Sequence, residues 1–196
     1  MHNINTKYWK KTLSNLSALE ADGSLSIIAL FMLGMIAGVL HVHLRWPLNI
    51  PGHHGIEWMT ILLMGRMLSR YKWAALSIAS GAAMSYLVQS SLLPLVHTVK
   101  PALIFLLNGA CLDLLLLFTP AKLPLAIRGI ILGGITYMAK PLLLVPVSIL
   151  TGLHVGSFVK YDYFYPIMTH FMFGSFGAIS GIYLADKIKS AQKPVE

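Results

Sequence analysis

The chain is short of charge, of acid and of cysteine, and each shortage excludes something. Only 11% of its 196 residues are charged, against about 25% in soluble domains. With 56% hydrophobic residues and a mean hydropathy of +0.70, that excludes a soluble globular domain. Seven acidic residues face fifteen lysines and arginines, a formal net charge of +8. The basic residues sit at the ends of apolar runs, where they set membrane topology rather than hold nucleic acid. One cysteine, Cys111, excludes an internal disulfide framework and any CxxC metal or redox pair. No short apolar stretch with a small-residue cleavage site stands ahead of the first long run, so no cleavable leader is expected. Phosphate-binding glycine loops and kinase signatures are also missing.

What the chain does have is apolar runs, read as six membrane helices at roughly 25–44, 56–69, 72–93, 99–118, 123–151 and 163–188. A helix crosses a bilayer with about 20 apolar residues, and in lipid only helices or closed barrels satisfy the backbone. The runs are too continuous for barrel strands, so the expected class is all-α: a polytopic membrane protein, a six-helix bundle. The second run barely spans, and Pro141 and Pro146 are expected to break the fifth, since proline removes a helix hydrogen bond. Residues 1–24 read as an amphipathic interfacial segment, 25–188 as the membrane domain and 189–196 as a tail. With the N-terminus inside, eleven basic residues fall on the inner side and three outside, with Lys140 inside a helix. That bias puts both termini in the cytoplasm and the loop after the first helix outside.

Five titratable residues gather around that loop: His41, His43, His53, His54 and Glu57, within HVHLRWPLNIPGHHGIE. Its prolines and glycines predict a shaped turn fit to cover a pocket. Imidazoles beside a carboxylate suit a transition metal, with His41, His43, His53 and His54 as candidate ligands; the plainer reading is an interfacial loop bonded to backbone and water. Lys140 on the fifth helix and His170 on the sixth are expected at the depth of this loop, counted at 1.5 Å per residue, with Glu57 near that level and Asn108 deeper. Ionisable groups inside a membrane are functional by default, so these are expected to converge on one outward-facing cavity. Asp113 lies nearer the cytoplasmic end, ready to pair with Arg66, Arg70 or Arg128. Tyr161, Tyr163, Phe164 and Tyr165 read as an interfacial aromatic belt. GSFGAISG at 174–181 is similar to the GxSG of intramembrane serine proteases, but there the catalytic histidine comes after the serine on a later helix, and here His170 precedes Ser180.

An apolar first helix, the loop RWPLNIPGHHG, a short second helix IEWMTILLMGRML with its basic turn SRYKW, and the small-residue third helix AALSIASGAAMSYL stand directly one after another. With the last helix PIMTHFMFGSFGAISGIYLADKIK, the pattern resembles the substrate-binding S components of energy-coupling factor (ECF) transporters. That resemblance implies six helices with both termini inside, in the plasma (inner) membrane of a bacterium. It implies a vitamin or a transition metal held near the outer face under the first outer loop, with no intrinsic cofactor and no catalysis. It also implies handover through a transmembrane coupling subunit with two ATPases, or work as a solitary member. Small residues on the first helix dock that subunit in the family, and Gly34 and Gly38 are their nearest equivalents. Nickel and cobalt members use a histidine straight after the initiator methionine at an outside N-terminus. His2 is present, but ahead of a basic segment assigned to the cytoplasm, which makes a vitamin the first choice. The imidazoles point to cobalamin, whose cobalt histidine can ligate. The residues expected to bind it are His53, His54, Glu57, Asn108, Lys140 and His170. Two alternatives are a haem held between His41 and His170 and an assembly subunit whose polar cluster docks a partner.

Overall fold

The computed structural model describes residues 23–43, 50–89, 95–120, 122–151 and 164–192. The expected interfacial segment at 1–22, the loop residues 44–49, Tyr161, Tyr163 and the end of the tail lie outside the described residues. Among those described there is no strand. The helices are α1 (Gly23–His43), α2 (Gly55–Leu68), α3 (Ala74–Gln89), α4 (Leu95–Phe118), a composite α5 at 125–151, and α6 (Phe164–Gln192).

Four helical segments are long and apolar enough to cross a membrane: Ser26–His43, Lys100–Phe118, Leu125–Pro146 and Phe164–Gln192. The 14 residues of α2 and 16 of α3 rise about 21 and 24 Å, short of the roughly 30 Å of a bilayer core. The sequence predicts a third helix reaching residue 93; its described part ends at Gln89. Polarity is distributed as lipid demands. Ile28, Ile36, Leu103, Leu117, Phe118, Leu142, Leu150 and Phe176 face outward, while Asn108, Asp113, Thr136 and His170 are buried. The apolar core is Trp58, Met59, Leu62 and Leu63 of α2 with Ile78, Leu112 and Leu132.

In lipid there is no hydrophobic gain in bringing two apolar helices together, so close packing of small residues carries the association. α1 lies along α3, which also packs on α4; α2 lies along α6, which packs on α5. A Cβ on Gly34 would run into the carbonyl oxygen of Ile78, and one on Gly81 into that of Phe31, so α1 and α3 touch backbone to backbone. Gly38 meets the carbonyl oxygen of Ala82 at 2.8 Å in the same test. Gly34 and Gly38, expected to dock a partner subunit, are therefore spent on α3 of their own chain. On α6, Gly177 faces the carbonyl oxygens of Gly55 and Ile56, and Gly181 that of Thr60, each at 2.6 Å from an added Cβ. The Thr60 hydroxyl donates to the Gly177 carbonyl at 3.0 Å.

The fifth helix departs from expectation. It runs unbroken through Pro141 and Pro146, as membrane helices can when neighbours re-satisfy the freed carbonyls. Its irregularity comes earlier, in a single π turn at Ile130–Gly134 between Leu125–Gly129 and Ile135–Thr151. Glycines 133 and 134 sit there against Gly174 and Phe171 of α6, with no room for a side chain.

At the end of α2 away from the histidines, Asp113 of α4 accepts from Arg66 Nε at 2.7 Å and from the backbone amides of Ala75 (3.3 Å) and Leu76 (2.9 Å). One enclosed carboxylate thus joins α2 and α4 and serves free amides in the first turn of α3. Breaking a buried pair on one side costs about 3–5 kcal/mol. Asp113→Asn is expected to lower stability at the bottom of that range, and Gly81→Leu by about 3 kcal/mol for overpacking against backbone. Heat- or SDS-induced unfolding of the detergent-extracted protein measures both; an unchanged midpoint for either contradicts these packing assignments.

Candidate functional site

The end of α1, the turn at 50–54 and the first turn of α2 meet at one place. Pro51 and Gly52 make the turn, and Gly52 has φ +81°, a conformation that favours glycine. It also lies against His170: an added Cβ would stand 2.8 Å from Nδ1 of that ring. Gly55 is pressed on the Tyr137 ring in the same way, at 2.5 Å. Two glycines thus seat the turn on α5 and α6 and fix where α2 begins.

His54 precedes α2 and Glu57 lies in its first turn. His54 Nδ1 stands 2.6 Å from Glu57 Oε1, and His41 Nδ1 on the last turn of α1 is 3.9 Å from the same oxygen. The side chains of His41, His54 and Glu57 are 26, 27 and 22% exposed, so the group opens on one side. The His41 and His54 rings are 4.8 Å apart at their centroids, and His53 and His54 4.0 Å. His53 Nδ1 donates to the Ile50 carbonyl at 2.7 Å. The floor is aromatic: Phe105 meets His41 edge-on at 5.2 Å and Trp58 at 4.7 Å.

Beneath lies a second set. Asn108, in the orientation its neighbours require, donates to the Thr136 carbonyl at 3.0 Å and accepts from Trp58 Nε1 at 3.2 Å. Both ends of its amide are thus engaged, and the residue is 1% exposed, so it ties α2, α4 and α5 together behind the histidine cluster. His170 is 1% exposed, its Nδ1 donates to the Pro166 carbonyl at 2.7 Å, and its ring stacks on Tyr137 at 5.2 Å. Lys140 is half-buried and close enough to His41, His170 and Lys100 for their charges to interact.

The expected set of His53, His54, Glu57, Asn108, Lys140 and His170 therefore gathers at one end of the bundle, with His53, His54 and Glu57 lining it, Lys140 beside it and Asn108 and His170 supporting it. His43 is exposed and stands outside the cluster, on a different face of α1 from His41. His41 Nδ1 stands 3.9 Å from Glu57 Oε1, and His170 is enclosed by Tyr137 and Gly52. The sequence does not single out Tyr137, Trp58 or Phe105 as parts of the site. Gly52 has a signal in PGHHG, and Tyr137 in its place shortly after a glycine pair. Comparison of the chain with family models, characterised proteins and solved structures gives no match.

Because Gly52 is held both by its φ and by the His170 ring, Gly52→Ala is expected to destabilise the protein by about 1–3 kcal/mol. Unfolding midpoints of Gly52→Ala and of Asn108→Leu should both fall, while His43→Ala should match the unaltered chain; a stable Gly52→Ala protein would contradict this seating of the turn.

Proposed function

We propose that the protein is a membrane solute-binding subunit that takes up a micronutrient, in the manner of the ECF S components. The observation that carries this reading is the gathering of His41, His53, His54, Glu57 and Lys140, from α1, the turn, α2 and α5, into one partly exposed cluster at the end of a bundle whose exterior is apolar. A membrane protein concentrates titratable groups in this way where a polar ligand sits or passes. Behind the cluster, Asn108 is bonded to Trp58 Nε1 and the Thr136 carbonyl, and His170 to the Pro166 carbonyl, which pre-organises the wall. Proline- and glycine-rich sequence at the mouth suits a cover over a ligand.

In this reading all six helices are membrane-embedded, both termini are cytoplasmic, and the pocket faces outward across a bacterial inner membrane. The ligand is a vitamin of cobalamin type or a transition metal. A coupling subunit with two ATPases would be met through the exposed faces of the bundle, since the Gly34 and Gly38 edge is taken by α3.

Mass spectrometry and elemental analysis of what co-purifies with the detergent-extracted protein test the reading, together with melting in the presence of vitamins. A ligand at a hundred times its Kd adds about 2.7 kcal/mol to stability, a shift of several degrees. The expected result is a stoichiometric ligand, or such a shift with one vitamin, reduced by Lys140→Ala and by His53→Ala with His54→Ala. A protein that carries nothing and is stabilised by no vitamin or metal would overturn it and leave a role in assembly.

A further inference from the structure

We propose that His41, His54 and Glu57 form a binding site for one divalent first-row transition metal ion of the cobalt, nickel and zinc class. This deepens the solute-binding reading and rests on it only for what the ion is for: the ion, alone or within a complex, is what the pocket recognises.

One donor atom from each of the three side chains lies within 4.8 Å of the other two. Metal–nitrogen and metal–oxygen bonds of about 2.0–2.2 Å place cis ligands roughly 3–3.5 Å apart. The His54–Glu57 separation of 2.6 Å and the His41–Glu57 separation of 3.9 Å bracket that value, so small side-chain rotations close the triangle. The short contact is a hydrogen bond, and its proton lies between two atoms that would both coordinate; an entering dication displaces it, as ligand deprotonation on metal binding requires. Two imidazoles and one carboxylate, with no thiolate, suit borderline dications over calcium or magnesium, which prefer all-oxygen sites.

Two further observations point to a ligand. His41 Nδ1 is enclosed and has no hydrogen-bond partner among the described residues; Glu57 Oε1 stands 3.9 Å from it. His53 Nε2 is likewise enclosed and unpartnered. Because His53 Nδ1 donates to the Ile50 carbonyl, the neutral ring carries its lone pair on Nε2. A backbone carbonyl on the far nitrogen is the arrangement that orients metal-bound histidines, so His53, with its ring 4.0 Å from His54, is a candidate fourth donor. Lys140 is close enough to His41 for their charges to interact, which would favour an anionic co-ligand.

The test uses the full chain in detergent, stripped with EDTA and titrated with Co²⁺, read by visible absorption and by competition with Zn²⁺ and Ni²⁺. One ion per chain is expected, with d–d bands of a nitrogen and oxygen site and no thiolate charge-transfer band. Glu57→Gln and His54→Ala should each weaken binding by at least about tenfold to a hundredfold, since even outer-shell changes cost that much, and His43→Ala should bind as the unaltered chain does. Melting without metal shows which variants keep the fold, and X-ray absorption of the unaltered protein reports two imidazoles, or three with His53, without any variant. No Co²⁺ binding, or binding untouched by Glu57→Gln in a folded variant, or a site lacking imidazole, would overturn the proposal. Vitamin-dependent stabilisation through Lys140 with no Co²⁺ binding removes the metal site and keeps the uptake reading. Co²⁺ binding as described in a protein whose expression adds no cellular uptake of metal or vitamin keeps the site and removes the uptake reading.

Discussion

Backbone contact through glycine is the constraint on which this bundle depends. Where Gly34 meets Ile78 and Gly81 meets Phe31, α1 and α3 leave no space for a side chain; where Gly177 and Gly181 meet Gly55, Ile56 and Thr60, α2 and α6 do the same. Such contact gains dispersion over a long seam and brings carbonyls within reach of donors such as the Thr60 hydroxyl. It also fixes positions along the helix axis, because a glycine groove accepts its partner in one register. The first turn of α2 is therefore placed by α6, and with it Glu57. The last turn of α1 is placed by α3, and with it His41. The cluster at the mouth inherits its geometry from seams that carry no polar chemistry of their own.

The π turn in α5 serves the same end. Inserting one residue into a helix rotates the downstream segment by about 100° relative to the upstream one. Beyond Ile130–Gly134, Thr136, Tyr137 and Lys140 come round to the side of the bundle where His170, Asn108 and Gly55 lie. Tyr137 then serves as a wall on which both His170 and the start of α2 rest. Without the turn, the proline-containing half of α5 would present a different stripe to α6. Irregular backbone at membrane depth is tolerated where protein buries it, and the close faces of Gly133 and Gly134 against α6 meet that condition.

Much of this is legible in the residues. Apolar runs and their charged ends predict helices at nearly the places where they are found, and ionisable residues inside apolar runs (Lys140, His170, Asp113) mark the two polar centres. The pairing of Asp113 with Arg66 is foreshadowed by the short supply of acid in a basic chain. What is not legible is anything that depends on which face meets which. The GxxxG of Gly34 and Gly38 reads equally well as an internal seam or a docking edge, and only the position of α3 decides. Asn108 and Trp58 are about fifty residues apart in the chain, and no periodicity announces that they share a hydrogen bond. His41 and His43 look equivalent in HVH, but two residues turn the helix by about 200°, so one enters the cluster and the other leaves it.

The two polar centres are kept apart by α2. Glu57 in its first turn and Arg66 in its last are nine residues apart, about 14 Å along the axis, with Trp58, Met59, Leu62 and Leu63 fully enclosed between them. At that separation, with no shared partner, perturbations at one centre are nearly independent of the other. Asp113 can therefore be committed to holding α2, α3 and α4 together without constraining the histidine cluster. In a chain with so few acids, each carboxylate that is enclosed must answer to basic groups around it. Asp113 answers to Arg66 and two backbone amides and is satisfied, whereas Glu57 holds His54 closely and His41 only at a distance. The incompletely matched carboxylate, and not the satisfied one, is where the proposed cation would be received.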